Sequence, residues 1–373
     1  MSTRTRILGC LLAACLGWGQ PSARLASTLK VNFPEDAPVA LVAADWGESR
    51  ETARGSALLV DVRSSLTLRN VGPRRICGIT LMVVAQALTP GGKASVSVPS
   101  LNVKPGETFP IRLDLRLLRP GAGAGPLVQV ELDGVLFDDL SFYGANRLNS
   151  RRLMTAWELE ARRDRQHCRA LLEAYGPQAL QRYMLEVLAE RPRLGVRVSR
   201  APATALAGAG AHPIQFACLQ IPGAPLELLR GEVLLAGAQA ITPRFELINR
   251  SKRTVRYFEI AWLLRDRDGV EYLAGTVPSA EATLPPGQRG QAVQDVILRF
   301  ATASGRPLSV ESLTGFLAQV EFADGEIWIP DRRALEDARL RRVLPPSAEE
   351  QRLAELYRRQ GLSAVIQELS RHQ

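Results

Sequence analysis

Arginine carries nearly all the positive charge of this 373-residue chain, and it gathers in two places. Arg147, Arg151, Arg152, Arg162, Arg163, Arg165 and Arg169 crowd one stretch; Arg332, Arg333, Arg339, Arg341 and Arg342 crowd another. The lysines are only Lys30, Lys93, Lys104 and Lys252. A planar guanidinium fork grips carboxylate or phosphate bidentately. Arg147, Arg151, Arg152, Arg162, Arg163, Arg332, Arg333, Arg341 and Arg342 are therefore the candidates for contacting an anionic envelope polymer, a lipid surface or an acidic protein face. Glu158, Glu160, Asp164, Glu336 and Asp337 are interspersed among them, which favours ion pairs on helix surfaces instead. Ion pairing is the preferred reading.

Other reactive groups form weaker patterns. Asp133, Asp138 and Asp139 have the types for a cation site or a carboxylate pair, but Asp133 precedes Gly134 and reads as a turn residue. Asp266, Asp268, Gly269 and Glu271 have part of a calcium-loop pattern; without its third oxygen ligand and distant Glu they read as a hairpin turn. Asn249-Arg250-Ser251 is a sequon in form and a turn in context. Neighbouring helix positions point about 100° apart, so His167 and Cys168 do not pair as base and nucleophile. His212 and His372 complete the histidines. There is no phosphate loop, nucleophile elbow or zinc-binding helix motif. No catalytic, cofactor or metal residue is assigned, and no cofactor is expected.

The N-terminus reads as a processing segment. Arg4 and Arg6 precede a short apolar run from Ile7 to Gly17, too short to span a bilayer. Gly17-Trp18-Gly19 fits signal-peptidase cleavage, giving a leader over 1–19. Leu12-Ala13-Ala14-Cys15 resembles the bacterial lipobox, which would end the leader at 14 and lipidate Cys15. Either way Arg4 and Arg6 are lost, and the net charge falls from +9 to +7. Cys77, Cys168 and Cys218 remain, without metal-ligand spacing, and read as buried thiols. Nucleic acid does not fit an exported chain without basic–aromatic interleaving.

The elements that must position these groups are mostly strands. Apolar residues make up 46% of the chain and charged ones 23%, the balance of a folded globular protein. Val39–Ala44, Ser56–Val62, Ser65–Leu68, Ile76–Ala85, Ala94–Pro99 and Ile111–Leu117 alternate or cluster apolar residues between Asn-, Gly- and Pro-rich turns. Gln129-Val130-Glu131-Leu132-Asp133-Gly134 then reads as a strand entering an Asp-Gly hairpin, and Gln319-Val320-Glu321-Phe322-Ala323-Asp324-Gly325 repeats it. Leu247-Ile248-Asn249 answers Leu68-Arg69-Asn70, Val277-Pro278-Ser279 answers Val98-Pro99-Ser100, and Pro286-Gly287 answers Pro105-Gly106, all in the same order. Helical spacing follows each half. Leu153, Met154, Trp157, Ala161, Cys168 and Leu172 precede Gly176-Pro177, and Ser347 with Glu350 forms a capping box.

The expected fold is mainly β with α: two tandem immunoglobulin-like antiparallel sandwiches, each followed by a helical hairpin, related by internal duplication. The expected boundaries are a sandwich at 31–145, a hairpin at 146–192, an Ala/Gly/Pro-rich linker at 193–213, a sandwich at 214–332 and a hairpin at 333–373. In architecture these modules resemble the immunoglobulin-like modules of bacterial surface proteins, which brings no functional residues with it. The expected function is a non-enzymatic, exported interaction or scaffold protein, whether periplasmic, membrane-anchored or secreted, with another envelope protein as partner. Binding of anionic polymer or lipid by the arginines is the alternative. A hydrolase with an unrecognised site between the halves is the second.

Overall fold

The computed structural model describes residues 28–86, 91–121, 126–189, 196–202, 211–278, 281, 283–293, 296–302 and 304–372. The expected leader over 1–19 (or 1–14), Cys15 and the middle of the expected linker lie outside these. The protein is mostly β, with antiparallel and mixed sheets. It divides into two compact units. The first holds residues up to Pro73, Thr80–Val96 and Val103–Asp133; the second holds Arg74–Ile79, Ser97–Asn102 and everything from Gly134.

The strands that begin in the first half are β1 (Leu29–Asn32), β2 (Val39–Asp45), β3 (Arg50–Arg54), β4 (Ala57–Asn70), β5 (Ile76–Val84), β6 (Lys93–Val98), β7 (Thr108–Pro120), β8 (Val128–Phe137) and β9 (Phe142–Tyr143). One sheet runs β1-β8-β5-β6, and the other places β7 on one edge of β4 with β2 and β3 on its opposite edge. The stretches Ser56–Val62 and Ser65–Leu68, expected as two strands, fall, apart from Ser56, in the single long β4. Its Val60, Val62, Leu66 and Leu68 are buried at a period of two. On β7, Arg112, Asp114 and Arg116 face out between buried Ile111, Leu113 and Leu117.

The second unit is built on β10 (Val196–Pro202), β11 (His212–Leu219), β12 (Leu226–Ala236), β13 (Gln239–Asn249), β14 (Val255–Asp266), β15 (Glu271–Pro278), β16 (Arg289–Val293), β17 (Val296–Thr302), β18 (Val310–Phe322) and β19 (Ile327–Trp328). Eight of them follow the order β11-β12-β13-β17-β10-β15-β14-β18, and β18 pairs back to β11. The result is a near-closed, barrel-like sheet rather than two separate sheets. Two strands make that closure. β11 pairs with β12 through His212–Phe216 and then turns parallel to β18 through Ala217–Leu219. β10, inside the stretch expected as linker, pairs with β17 along its whole length. Val196 and Val198 alternate and pack on the core, a signal submerged in the surrounding Ala and Pro. Trp262, wholly buried, centres that core, with the Phe216 ring 4.9 Å and the Phe245 ring 5.6 Å away.

The helices are α1 (Ser150–Tyr175), α2 (Pro177–Ala189), a 3₁₀ turn (Arg332–Ala334), α3 (Ala338–Val343), α4 (Ala348–Gln360) and α5 (Leu362–Arg371). No described helix is long and apolar enough to cross a membrane. Asn149 does not cap α1 with its side chain; Asn146 Oδ1 accepts from the Arg151 N–H at 2.9 Å instead. Ser347 and Glu350 cap α4 reciprocally. The two expected hairpins do not stand apart. Cys168, Leu180 and Met184 share one buried apolar cluster with Leu353, Val365 and Leu369.

Two wholly buried asparagines make matching sets of four hydrogen bonds. The Asn70 N–H donates to the Glu107 carbonyl (2.9 Å) and its own carbonyl accepts from the Gly106 N–H (2.8 Å). Its Oδ1 accepts from the Gly72 N–H (3.0 Å), and its Nδ2 donates to the Val103 carbonyl (3.0 Å). Asn249 meets Gln288, Gly287, Ser251 and Leu284 in the same four roles, at 3.0, 2.9, 3.0 and 2.8 Å.

The Asp-Gly pairs part company. Asp324-Gly325 is a turn, with Gly325 at φ 85°. Asp133-Gly134 lies inside continuous β8, where a Cβ on Gly134 would meet the Phe142 ring at 2.0 Å. The turn that answers Asp324 is at Asp139. Asp139 Oδ1 accepts from the Ser141 N–H at 2.9 Å, as Asp324 Oδ1 accepts from Glu326 at 3.1 Å. Arg74 pairs with Asp139 and lies 4.2 Å over the Phe137 ring, while Arg253 pairs with Asp324 and lies 4.0 Å over Phe322.

Asn70→Ala and Asn249→Ala each strand buried backbone groups and should each lower unfolding free energy by about 2–3 kcal/mol. Denaturant titration of the two variants checks this.

Candidate functional site

Arg151, Arg152 and Arg163 of the first arginine cluster face the barrel and the chain that leaves it. Arg151 and Arg152, in the first turn of α1, both bind the carboxylate of Glu321 on β18, which is only 1% exposed. Arg256 approaches the same carboxylate at 3.6 Å. Arg152 also pairs with Glu281 at 3.1 Å and lays its guanidinium 3.4 Å over the Tyr257 ring. Three turns on, Arg163 donates to the Ile329 and Pro330 carbonyls at 3.1 and 2.9 Å. Arg162 pairs with Glu158 at 2.8 Å and with the Asp138 carbonyl at 2.5 Å. Arg165 is buried between Glu158 (2.8 Å) and Glu349 (3.1 Å). Arg147 lies on the exposed loop ahead of α1.

The second cluster closes on α1. Arg332 pairs with Glu160 at 3.1 Å and donates to the Pro345 carbonyl. Arg333 pairs with Asp164 at 2.8 Å and Glu350 at 3.3 Å, and Ser347 Oγ donates to the other Asp164 oxygen at 2.5 Å. Arg342 reaches Glu271 at 3.3 Å, whereas exposed Arg341 makes no ion pair among the described residues. Arg332, Arg333 and Arg341 line a hollow of about 410 Å³ with His167, Tyr183 and Glu350. The Tyr183 hydroxyl donates to Glu350, and the His167 ring meets Tyr183 edge-on at 5.2 Å.

Burial and pairing pull the carboxylates in opposite directions. Burial pushes Glu160 and Asp164 above the ordinary range, and their arginine partners only partly offset it. Burial also pushes Glu349 upward, but Arg352 and Arg165 outweigh it and hold this carboxyl below the glutamate range. Burial lowers the His167 pKa, with nearby Arg333 adding to the effect. Burial pushes the free thiols Cys77 and Cys168 to about 12 and Cys218 to about 11.

The remaining candidates are local structure. Asp266 Oδ1 accepts from the Asp268 and Val270 N–H groups at 3.0 and 2.9 Å, and its other oxygen accepts from Tyr272 at 2.9 Å. It is the hairpin turn between β14 and β15. Asp133 is buried in β8, while Asp138 and Asp139 form the turn after it. No group of His, Cys, Asp or Glu among the described residues could hold a metal.

A second concavity had no marker in the sequence. A cleft of about 310 Å³ runs beside α1, where Trp157 is half-buried beside Leu153 and Glu160. Its floor includes Phe316, Ala318 and Gln319 of β18. Gln319 is 6% exposed, and its Nε2 has no hydrogen-bond partner among the described residues. Only helix and strand periods together mark such a cleft, because its lining comes from positions far apart in the chain.

No protein-family model and no curated protein matches the chain. Among solved structures, a β-glucosidase from Kluyveromyces marxianus aligns at 10% identity over 74% of this chain and 44% of its own, with a TM-score of 0.16. Red sea bream transglutaminase aligns at 7% identity over 76% and 31%, with a TM-score of 0.13. The chain thus spans less than half of either relative. Likenesses this slight carry no argument.

The pH dependence of stability follows from these shifts. The Glu349 contribution is fully present above the unfolded glutamate value and is lost as pH falls through its lowered folded value. Asp164 and Glu160 act oppositely: theirs is greatest at low pH and is lost as pH rises through their raised values. Glu349→Gln should therefore cost about 3 kcal/mol near neutrality and flatten the acid limb below the ordinary glutamate range. Urea midpoints of wild type and variant at neutrality and along that limb test it.

Proposed function

We propose that this protein is a non-enzymatic, exported scaffold or interaction protein of the bacterial cell envelope, with another envelope protein as its partner. We read the chain as a duplicated unit of immunoglobulin-like β-sandwich plus helical hairpin, with the second copy's strands joined through β10 and β11 into the near-closed barrel. The duplication is supported by the matching Asn70 and Asn249 networks, and by the Arg74–Asp139–Phe137 and Arg253–Asp324–Phe322 clamps. It is supported also by β1 and β11, which each run parallel to the last long strand of their half. The leader at 1–19 or 1–14, with Cys15 as lipidation site in the second case, belongs to this reading.

One observation carries the choice of a protein partner. Arg151, Arg152, Arg162, Arg163, Arg332 and Arg333 bind the chain's own carboxylates and carbonyls, which leaves few of them for an external polyanion. The anionic polymer or lipid alternative rests on exposed Arg341, which lines the hollow beside Arg332 and Arg333. The two readings differ in salt response, because exposed charge contacts are screened and packed contacts are not.

Cross-linking capture of the mature protein from its own envelope, at low and high salt, decides between them. A discrete protein partner retained at high salt is expected. Polymer or lipid lost as salt rises would replace this reading with the alternative.

A further inference from the structure

The cleft beside α1 has a chemistry that the interaction reading does not use. Its walls are mostly apolar, from Leu153, Trp157 and Phe316, and small residues such as Ala318 and Gly275 keep it open. A Cβ added at Gly275 would meet nothing within 4 Å. Leu153 is 45% exposed at this cleft, a large apolar side chain left towards solvent. Glu160, Glu259, Arg332 and Gln319 supply its polar elements: Arg332 and Glu160 pair with each other, Glu259 accepts from the Tyr257 hydroxyl, and Gln319 Nε2 alone of these has a donor without a partner among the described residues. A buried amide N–H without an acceptor is unfavourable, so a ligand offering a carbonyl oxygen there completes the site. Small-molecule sites are lined in this way, mostly apolar with a few placed polar groups, and begin at about 300 Å³.

We propose that this cleft binds a medium-length acyl chain, with its carbonyl oxygen accepting from Gln319 Nε2 and its methylenes against Trp157 and Phe316. An acyl chain fits better than an amine or a sugar. The unpartnered group is a donor, and the walls offer far more apolar contact than polar. The chain could belong to a free fatty acid or to a lipid, since both present the same tail and carbonyl.

Calorimetric titration of the full mature protein with decanoate, and separately with a dioctanoyl phospholipid below its micelle concentration, tests the site. Saturable binding of either is expected: decanoate alone marks a free-acid site, and the phospholipid a lipid-chain site. Gln319→Leu should weaken it about tenfold, the scale of one buried hydrogen bond. Ala318→Phe, which fills the floor, should abolish it. Gly275→Val provides a second obstruction at a position with open space, should Ala318→Phe fail to fold. Trp157 emission should change on binding, and that change should vanish in Trp157→Phe while the heat remains. No saturable heat with either ligand, or undiminished binding by folded Gly275→Val together with Gln319→Leu, would overturn the proposal.

Discussion

Glu321 is the constraint on which the second unit depends. It is a carboxylate with 1% exposure on a central barrel strand, a position where an unpaired charge would be strongly unfavourable. Arg151 and Arg152 from α1 and Arg256 from β14 neutralise it. This single requirement fixes the N-terminal turn of α1 against the barrel. The long helix is then aimed so that Arg163 meets the carbonyls after β19, and Glu160, Asp164 and Arg165 meet the C-terminal segment.

Two consequences follow from that anchoring. The helices of both halves merge into one cluster around Cys168, Met184, Leu353 and Val365, although each helix could have packed only with its neighbour in sequence. The face of α1 carrying Leu153 and Trp157 is held over β18 without filling the space there, which opens the cleft. Arginine suits this work better than lysine would. Its fork binds a carboxylate and a carbonyl or aromatic face together, as Arg152 does with Glu321 and Tyr257.

Where local chemistry decides, the sequence was readable. The Asn70 and Asn249 turns, the Asp266 hairpin and the Ser347–Glu350 cap are all set by side chains bonding backbone a few residues away. Errors arose where tertiary contact decides. Asp133-Gly134 has the composition of a turn, yet the Phe142 ring needs a glycine in mid-strand. Val196–Pro202 has linker composition, yet β17 needs a neighbour to approach closure. The arginine clusters were visible, and ion pairing was the preferred reading. Their partners Glu321, Glu349 and the Ile329 carbonyl were not visible, because nothing local marks which distant carboxylate will be buried.

A double-mutant cycle between Arg152 and Glu321 tests the anchoring most directly. Urea unfolding of Arg152→Gln, Glu321→Gln and the pair should give a coupling energy of about 1–3 kcal/mol, with the double variant less destabilised than the two singles together. Additivity to within about 0.5 kcal/mol would contradict the account and leave α1 held by its apolar contacts alone.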